Sequence, residues 1–254
     1  MFLGIDHLVI AVADPDAAAA ELEGVVGLEA TAGGRHEALG TFNRLVWLGD
    51  SYLELIGVFD RSLAVASWIG APTVRALDAG GGLATWAIAS GALDDDVRRL
   101  RASGGDLGDP QPGQRRRPDG AVVTWRLAAP RRLGPAEPPF LIEHDPTSAE
   151  WTPTDRAIRA GERHQIGGPV RLEALELSVD DANATIQRFG RTVGLRFRPS
   201  LAGGGSRDAA VGRQTVRLRP RRGGEAAPAT VHLTVAAPIE PRTVETLGCR
   251  WLVR

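Results

Sequence analysis

Three side chains are spaced so that they could share one cavity and hold a metal. A strand at residues 5 to 12 puts His7, Val9 and Ala11 on one face and Leu8, Ile10 and Val12 on the other. A strand at residues 52 to 58 puts Tyr52, Glu54 and Ile56 together. If the sheet curves with these faces inward, His7 and Glu54 converge. Glu143, in Leu141-Ile142-Glu143, takes the place that Glu54 takes in Tyr52-Leu53-Glu54. One imidazole and two carboxylates suit a borderline or hard divalent metal with open positions for water or substrate. A plainer reading stands beside it. His7 is then a hydrogen-bonded pocket histidine, and each glutamate pairs with an arginine such as Arg44 or Arg126, because a buried carboxylate without a partner costs several kcal/mol.

The elements that must position these residues repeat along the chain. Residues 5–12 return as Leu83 to Ser90 and, more loosely, as Leu172 to Val179. Repeats of this kind mark duplicated modules. After the first strand, Asp14-Pro15 opens a helix over Ala17 to Val26, and Gly27 stops it. Strands follow near Arg35 to Glu37, over Thr41 to Leu48 and over Tyr52 to Val58, with a tight turn at Gly49-Asp50. Residues 60–81 read as a linker. The second unit runs from Leu83 through a helix opened by Asp94-Asp95-Asp96 to strands at Val122 to Leu127 and Phe140 to His144. Arg115-Arg116-Arg117 beside its turn reads as a solvated run, and residues 146–168 as a connection. A third, weaker unit follows from 168 to 240. Its helix exit Val193-Gly194-Leu195 repeats Val26-Gly27-Leu28, and no structure is assigned to Pro238 to Arg254. The expected fold class is α+β: paired βαβββ modules (1–60 and 82–146) form a curved mixed sheet around a cavity, with a third module-like C-terminal part. That part is expected to pair with a symmetry mate in a homodimer or to cap the cavity within the chain.

Composition narrows the chemistry. The chain has 254 residues, 43% of them hydrophobic, and a formal net charge of -1. That balance favours neither nucleic acid nor an acidic membrane. All basic residues are arginine, so a lysine Schiff base is excluded. A single cysteine, Cys249, allows no internal disulfide and points to a reducing cytoplasm. The N-terminal residues lack the basic start and apolar core of a signal peptide. No nucleophile elbow, dinucleotide fingerprint or Walker loop is present, and Gly203-Gly204-Gly205-Ser206 is too plain for a phosphate loop. His144 should point to the face opposite Glu143. Trp47, Trp86 and Trp125 lie in strands, where they favour a flat or apolar ligand if they face the cavity and belong to the core if they do not.

Several stretches resemble the vicinal oxygen chelate superfamily, which includes glyoxalase I, extradiol dioxygenases and bleomycin-resistance proteins, and more narrowly its glyoxalase-like domain proteins. They are Gly33-Gly34-Arg35-His36, Gly40-Thr41-Phe42-Asn43 and Gly49-Asp50-Ser51-Tyr52-Leu53-Glu54 in the first module. In the second they are Arg117-Pro118-Asp119-Gly120, Trp125-Arg126 and Phe140-Leu141-Ile142-Glu143. The resemblance implies one glyoxalase-like domain over residues 1–150. It implies a site with His7, Glu54 and Glu143 as ligands to zinc, nickel, manganese or iron. The fourth ligand position falls on Thr85, a poor ligand. The metal would chelate neighbouring substrate oxygens and stabilise an oxyanion, with Glu54 or Glu143 as general base, in a lyase, isomerase or dioxygenase reaction. His36, Asn43, Thr85, Trp86 and Arg126 would contact the small-molecule substrate. The same fold without metal would instead sequester a drug or metabolite, and fold alone does not choose between these activities.

Overall fold

In a computed structural model, which describes residues 2–221, 223 and 229–254, the first module is β1 (Phe2–Ala11), α1 (Pro15–Val26), β2 (Thr31–His36), β3 (Thr41–Leu48) and β4 (Ser51–Val58). Asp14 caps α1 by accepting from the amides of Asp16 and Ala17, and Gly27 ends it at φ +81°. The helix carries the chain across the sheet, so β4 lies parallel beside β1, with His7 against Tyr52 and Val9 against Glu54. The linker folds into α2 (Arg61–Ala66) and α3 (Gly70–Asp78). The second module repeats the first as β5 (Gly82–Ser90), α4 (Leu93–Ala102), β6 (Gln111–Arg116), β7 (Val122–Ala128) and β8 (Phe140–His144). The curved sheet closes completely, in the strand order β1-β4-β3-β2-β6-β7-β8-β5. At one seam β1 and β5 run antiparallel along their length, whereas at the other β2 and β6 meet at Arg35 and Arg116.

After α5 (Pro153–Ala160), a second sheet repeats the topology. It contains β9 (Val170–Val179), α6 (Ala182–Val193), β10 (Arg198–Pro199), β11 (Arg207–Val211), β12 (Gln214–Pro220), β13 (Ala229–Val235), β14 (Arg242–Thr246) and β15 (Cys249–Val253). Strand β12 lies parallel beside β9, as β4 does beside β1, so the third βαβββ unit is complete at Pro220. Strand β13, expected to finish that unit, instead pairs antiparallel with β9, as β5 pairs with β1. The C-terminal tail adds β14 and β15, with β15 parallel to β13. A shortened fourth unit without a helix thus completes a seven-stranded sheet. Among the described residues no helix is long and apolar enough to cross a membrane.

Alternation divides the barrel residues between two cores. Val9, Ala11, Ile56, Ala87, Phe140 and Ile142 pack inside the barrel. Leu8, Ile10, Leu53, Leu55, Trp86 and Ile88 point outward into a larger core shared with α1, α6 and the second sheet. The C-terminal units therefore brace the outside of the barrel and do not cap it. Trp86, expected from the sequence to contact substrate, is fully buried in this outer core, stacked on Phe189 with ring centroids 6.1 Å apart. Each such side chain contributes roughly 1.5–3 kcal/mol by leaving water. Trp86→Ala is expected to lower unfolding stability by about 3–5 kcal/mol. The test is a drop in denaturant midpoint at unchanged slope; a loss below about 1 kcal/mol would contradict the packing role.

Candidate functional site

A cavity open to solvent on one side, with about 560 Å3 of empty space counted to its mouth, lies within the barrel, and Glu54 is its most exacting wall residue. Its carboxylate is buried. Oε1 accepts a 2.6 Å hydrogen bond from Asn43 Nδ2, and Oε2 lies 3.7 Å from His7 Nε2. Asn43 has one orientation available, because its Oδ1 accepts from the Gly34 amide at 2.9 Å. Strand β2 must approach closely for this bond to form. A Cβ on Gly33 would come 2.0 Å from the Asn43 carbonyl oxygen. The Gly33-Gly34 pair is thus the local sequence feature that lets β2 aim Asn43 at Glu54.

His7 is fixed on three sides. Its ring stacks on Tyr52 at 4.5 Å and meets Phe140 edge-on at 5.3 Å, while Nδ1 lies 2.6 Å from Asp6 Oδ1. A register shift in the β1–β5 pairing between Ile5 and His7 lets the neighbouring Asp6 turn inward as well. Asp6 then bridges His7 and His144, whose Nε2 lies 3.1 Å away. Burial alone would raise the Asp6 carboxyl, but the charges and hydrogen bonds of His144 and His7 outweigh it and hold the group well below the usual carboxylate range. Burial pushes His144 and His36 down, although Asp6 and Glu54 respectively oppose it. His36 Nδ1 rests 3.0 Å from Thr41 Oγ1 and its ring faces the edge of Trp125.

Two segments that carried no site signal in the sequence complete the cavity. The connection after β8 brings Glu150 and Trp151 into the wall, and the linker helices bring Trp68 and Ile69. Arg115, in the arginine run read as solvated, is buried because the alternation of β6 turns it inward. It donates to the Gly33 carbonyl at 2.8 Å and to Glu150 at 2.5 Å. Trp151 stacks on His144 at 3.4 Å, and the Arg159 guanidinium sits over Trp47 and Trp151 at 4.2 and 4.4 Å. His164 accepts from the Glu29 amide and reaches the Trp47 carbonyl, so its role is to hold that wall.

The structure brings His7, Glu54, His36 and Asn43 together and leaves the other expected residues outside. In β8 it is Phe140, Ile142 and His144 that face the cavity, because Ala87 pairs with Phe140 and Ala89 with Ile142. Glu143 is therefore one residue out of phase with Glu54, and a slip of one turns a side chain to the opposite face. It lies outside the barrel, where Oε1 accepts from the Leu93 amide at 3.3 Å in the first turn of α4. Arg126 is also outside, exposed, with both terminal nitrogens on Asp94. Thr85, opposite Val9, is fully buried with its Oγ1 unpartnered, but it is not part of the cavity lining. The partner of Glu54 is thus Asn43, not Arg44 or Arg126.

This donor set does not fit a divalent metal. His7 Nε2 and Glu54 Oε2 are two converging donors, whereas catalytic zinc sites use three protein ligands. With Glu143 outside, no group of three or more His, Cys, Asp or Glu side chains among the described residues could hold such an ion. The three-ligand centre expected from the sequence is not assembled.

A family model described as a glyoxalase-like domain matches residues 5–193. No curated protein matches the chain. Among solved structures, a hypothetical protein from Staphylococcus aureus superposes with a TM-score of 0.80 at 14% identity, covering 98% of each chain. It shares this fold through both sheets. A variant of Streptomyces coelicolor methylmalonyl-CoA epimerase in complex with 2-nitronate-propionyl-CoA matches at 22% identity and TM-score 0.42, covering 57% of this chain and 99% of its own. The methylmalonyl-CoA epimerase from Mycobacterium tuberculosis matches at 22% identity and TM-score 0.40, covering 56% and 89%.

The buried ionisable groups set the acid behaviour. His36 and His144 resist protons that the unfolded chain accepts below about pH 6.5, and Asp6 resists one that it accepts below about pH 3.9. The unfolded state binds more protons in both ranges, so stability falls as pH falls. Urea unfolding is expected to show a decline from about pH 7 to about pH 5 and a steeper one below about pH 4. Asp6→Asn should make the acid limb shallower by one group's share, the rest coming from other carboxylates held low, such as Asp96, Glu173 and Asp208; an unchanged acid limb in that variant would refute the role of Asp6.

Proposed function

We infer that this chain, which belongs to the glyoxalase-like domain family, is a small-molecule enzyme that moves a proton on a carbon next to a carbonyl group, with Glu54 as general base. The observation that carries this reading is the split environment of the Glu54 carboxylate: one oxygen is held by Asn43, while the other faces His7 Nε2 across 3.7 Å at the cavity. A base held in one position inside an apolar wall is arranged for proton transfer rather than for stability.

In the proposed step, Glu54 Oε2 takes a proton from the substrate carbon. The electron pair of the broken C–H bond moves into an enolate, and the charge collects on the carbonyl oxygen. Glu54 then returns the proton, to the same carbon in an exchange or to a neighbouring atom in an isomerisation, so no co-reactant is consumed. Asp6 accepts a hydrogen bond from His7 Nδ1, which leaves Nε2 to face Glu54 and the ligand. Asn43 holds the base, and His36 lies in the same wall to orient the substrate. Trp47, Trp68, Trp125 and Trp151 favour a substrate with a flat or apolar body. The same four indoles favour a second reading, in which the protein holds such a molecule without reacting it.

The experiment is proton–deuterium exchange at the carbon next to the carbonyl, followed by NMR across a panel of small aryl and alkyl ketones. The protein is expected to accelerate exchange in at least one of them, and Glu54→Gln to slow it by about 10²–10⁴-fold. Exchange that survives Glu54→Gln would refute the base. Ligands that bind with no exchange in the unaltered protein would establish sequestration instead.

A further inference from the structure

We propose that the Tyr52 hydroxyl is the hydrogen-bond donor that receives the substrate's developing oxyanion. The assignment rests on the preceding reading, that the cavity takes a carbonyl compound, and it goes beyond that reading by naming what stabilises the charge.

The need is chemical. Proton removal leaves a negative charge on an oxygen inside an apolar cavity, and a charge there without a partner is too costly to form. A divalent cation would serve, but only two metal donors converge. A pre-positioned neutral donor is the other common solution.

Tyr52 has the required placement. It lies two residues before Glu54 on β4, so strand alternation puts both side chains on the cavity side. It is 8% exposed. Its ring is fixed by the stack on His7, by Trp47 at 5.1 Å and by Trp151 at 6.3 Å. Its hydroxyl makes no hydrogen bond to a described residue and is open to the cavity, so the donor is free for a ligand oxygen. A rigid ring carrying an unused donor on a cavity wall is the arrangement that a ligand oxygen would complete. Burial, with the negative charges of Asp6 and Glu54 nearby, raises the phenol's pKa well above its ordinary value, so it keeps the proton it must donate.

The second module supplies a contrast. Ala87 pairs with Phe140 as His7 pairs with Tyr52, and His7 and Ala87 face each other across the β1–β5 seam. The position equivalent to Tyr52 is therefore Phe140, the same ring without the hydroxyl. Packing alone accepts phenylalanine there.

Tyr52 is the single tyrosine of the chain, so one spectroscopic signal reports on it without ambiguity. The experiment uses protein labelled with carbon-13 at the tyrosine Cζ, in the Glu54→Gln form, which has the charge of the protonated base. The probes are 4-nitrophenolate, a flat oxyanion, and nitrobenzene, its counterpart without the oxyanion. The expected result is a shift of the tyrosine resonance with 4-nitrophenolate and little with nitrobenzene. Tyr52→Phe, added to Glu54→Gln, should weaken 4-nitrophenolate at least about tenfold and leave nitrobenzene within about twofold. An unmoved resonance while 4-nitrophenolate is bound would overturn the assignment. So would equal affinity with and without the hydroxyl, or failure of 4-nitrophenolate to bind at all. The resonance measurement needs no change at Tyr52 and so stands even if Tyr52→Phe folds poorly. Failure of the base assignment appears separately, as exchange retained by Glu54→Gln.

Discussion

The hydrogen bond from Asn43 to Glu54 is the constraint on which the cavity depends. A carboxylate set among indoles and aliphatic chains has lost its water, and without a partner it would cost several kcal/mol. Asn43 can serve because its own carbonyl is occupied by the Gly34 amide, and that contact exists because no side chain stands between β2 and β3 at Gly33. The chain of cause runs from two glycines, through one amide orientation, to the placement of a buried carboxylate. Gly34 serves the other edge of β2 as well: a Cβ there would come 2.3 Å from the Arg116 carbonyl oxygen, so its absence lets β6 approach. The strand that positions Asn43 is the strand that closes the barrel.

Duplication supplies the scaffold, and divergence at matched positions supplies the chemistry. Val9 pairs with Glu54 in the first module, and Glu176 pairs with Arg217 in the third. On the open sheet the corresponding face is a lattice of charge pairs, with Arg219 on Glu176 at 2.9 Å and Arg217 on Asp208 at 2.8 Å. Those charges are only partly buried and satisfy one another. Inside the closed barrel Glu54 meets the Asn43 amide, the His7 ring and aromatic walls instead. Closure of the sheet, more than the presence of charge, separates a reactive carboxylate from a structural one.

The first module was legible from the sequence because its signals are local. Asp14-Pro15 starts α1, Gly27 ends it, and strict alternation places His7 and Glu54 on one face. Glu143 was not legible. The phase of β8 is set by pairing with β5, a contact across the sheet, and Leu141-Ile142-Glu143 is apolar enough to fit either phase. His144 does face opposite Glu143, as expected, but the slip exchanges the two, so that His144 lines the cavity and Glu143 does not. Glu150, Trp151 and Trp68 come from segments whose composition reads as connection, and only tertiary closure turns them inward. The tail was unassigned because β14 and β15 are five-residue strands held by each other and by β13.

The barrel's pseudo-symmetry makes the cavity two-sided, and this bears on how a ligand must lie. Across the β1–β5 seam His7 faces Ala87, and along the parallel pairs Tyr52 and Glu54 correspond to Phe140 and Ile142. His7, Tyr52 and Glu54 thus have apolar counterparts in Ala87, Phe140 and Ile142, while the second half brings its own polar wall residues Arg115 and His144. A symmetric pocket would offer two equivalent poses, and a base would meet its target carbon in only one of them. The wall formed by Ala87, Phe140 and Ile142 disfavours a carbonyl oxygen, which would lose its hydrogen bonds there, and accepts a hydrocarbon body. In the proposed reaction the reacting carbon is then directed towards Glu54 and the body towards Phe140 and Ile142. Phe140 and Ile142, at the places that Tyr52 and Glu54 take in the first half, are what make the two ends of the cavity unlike.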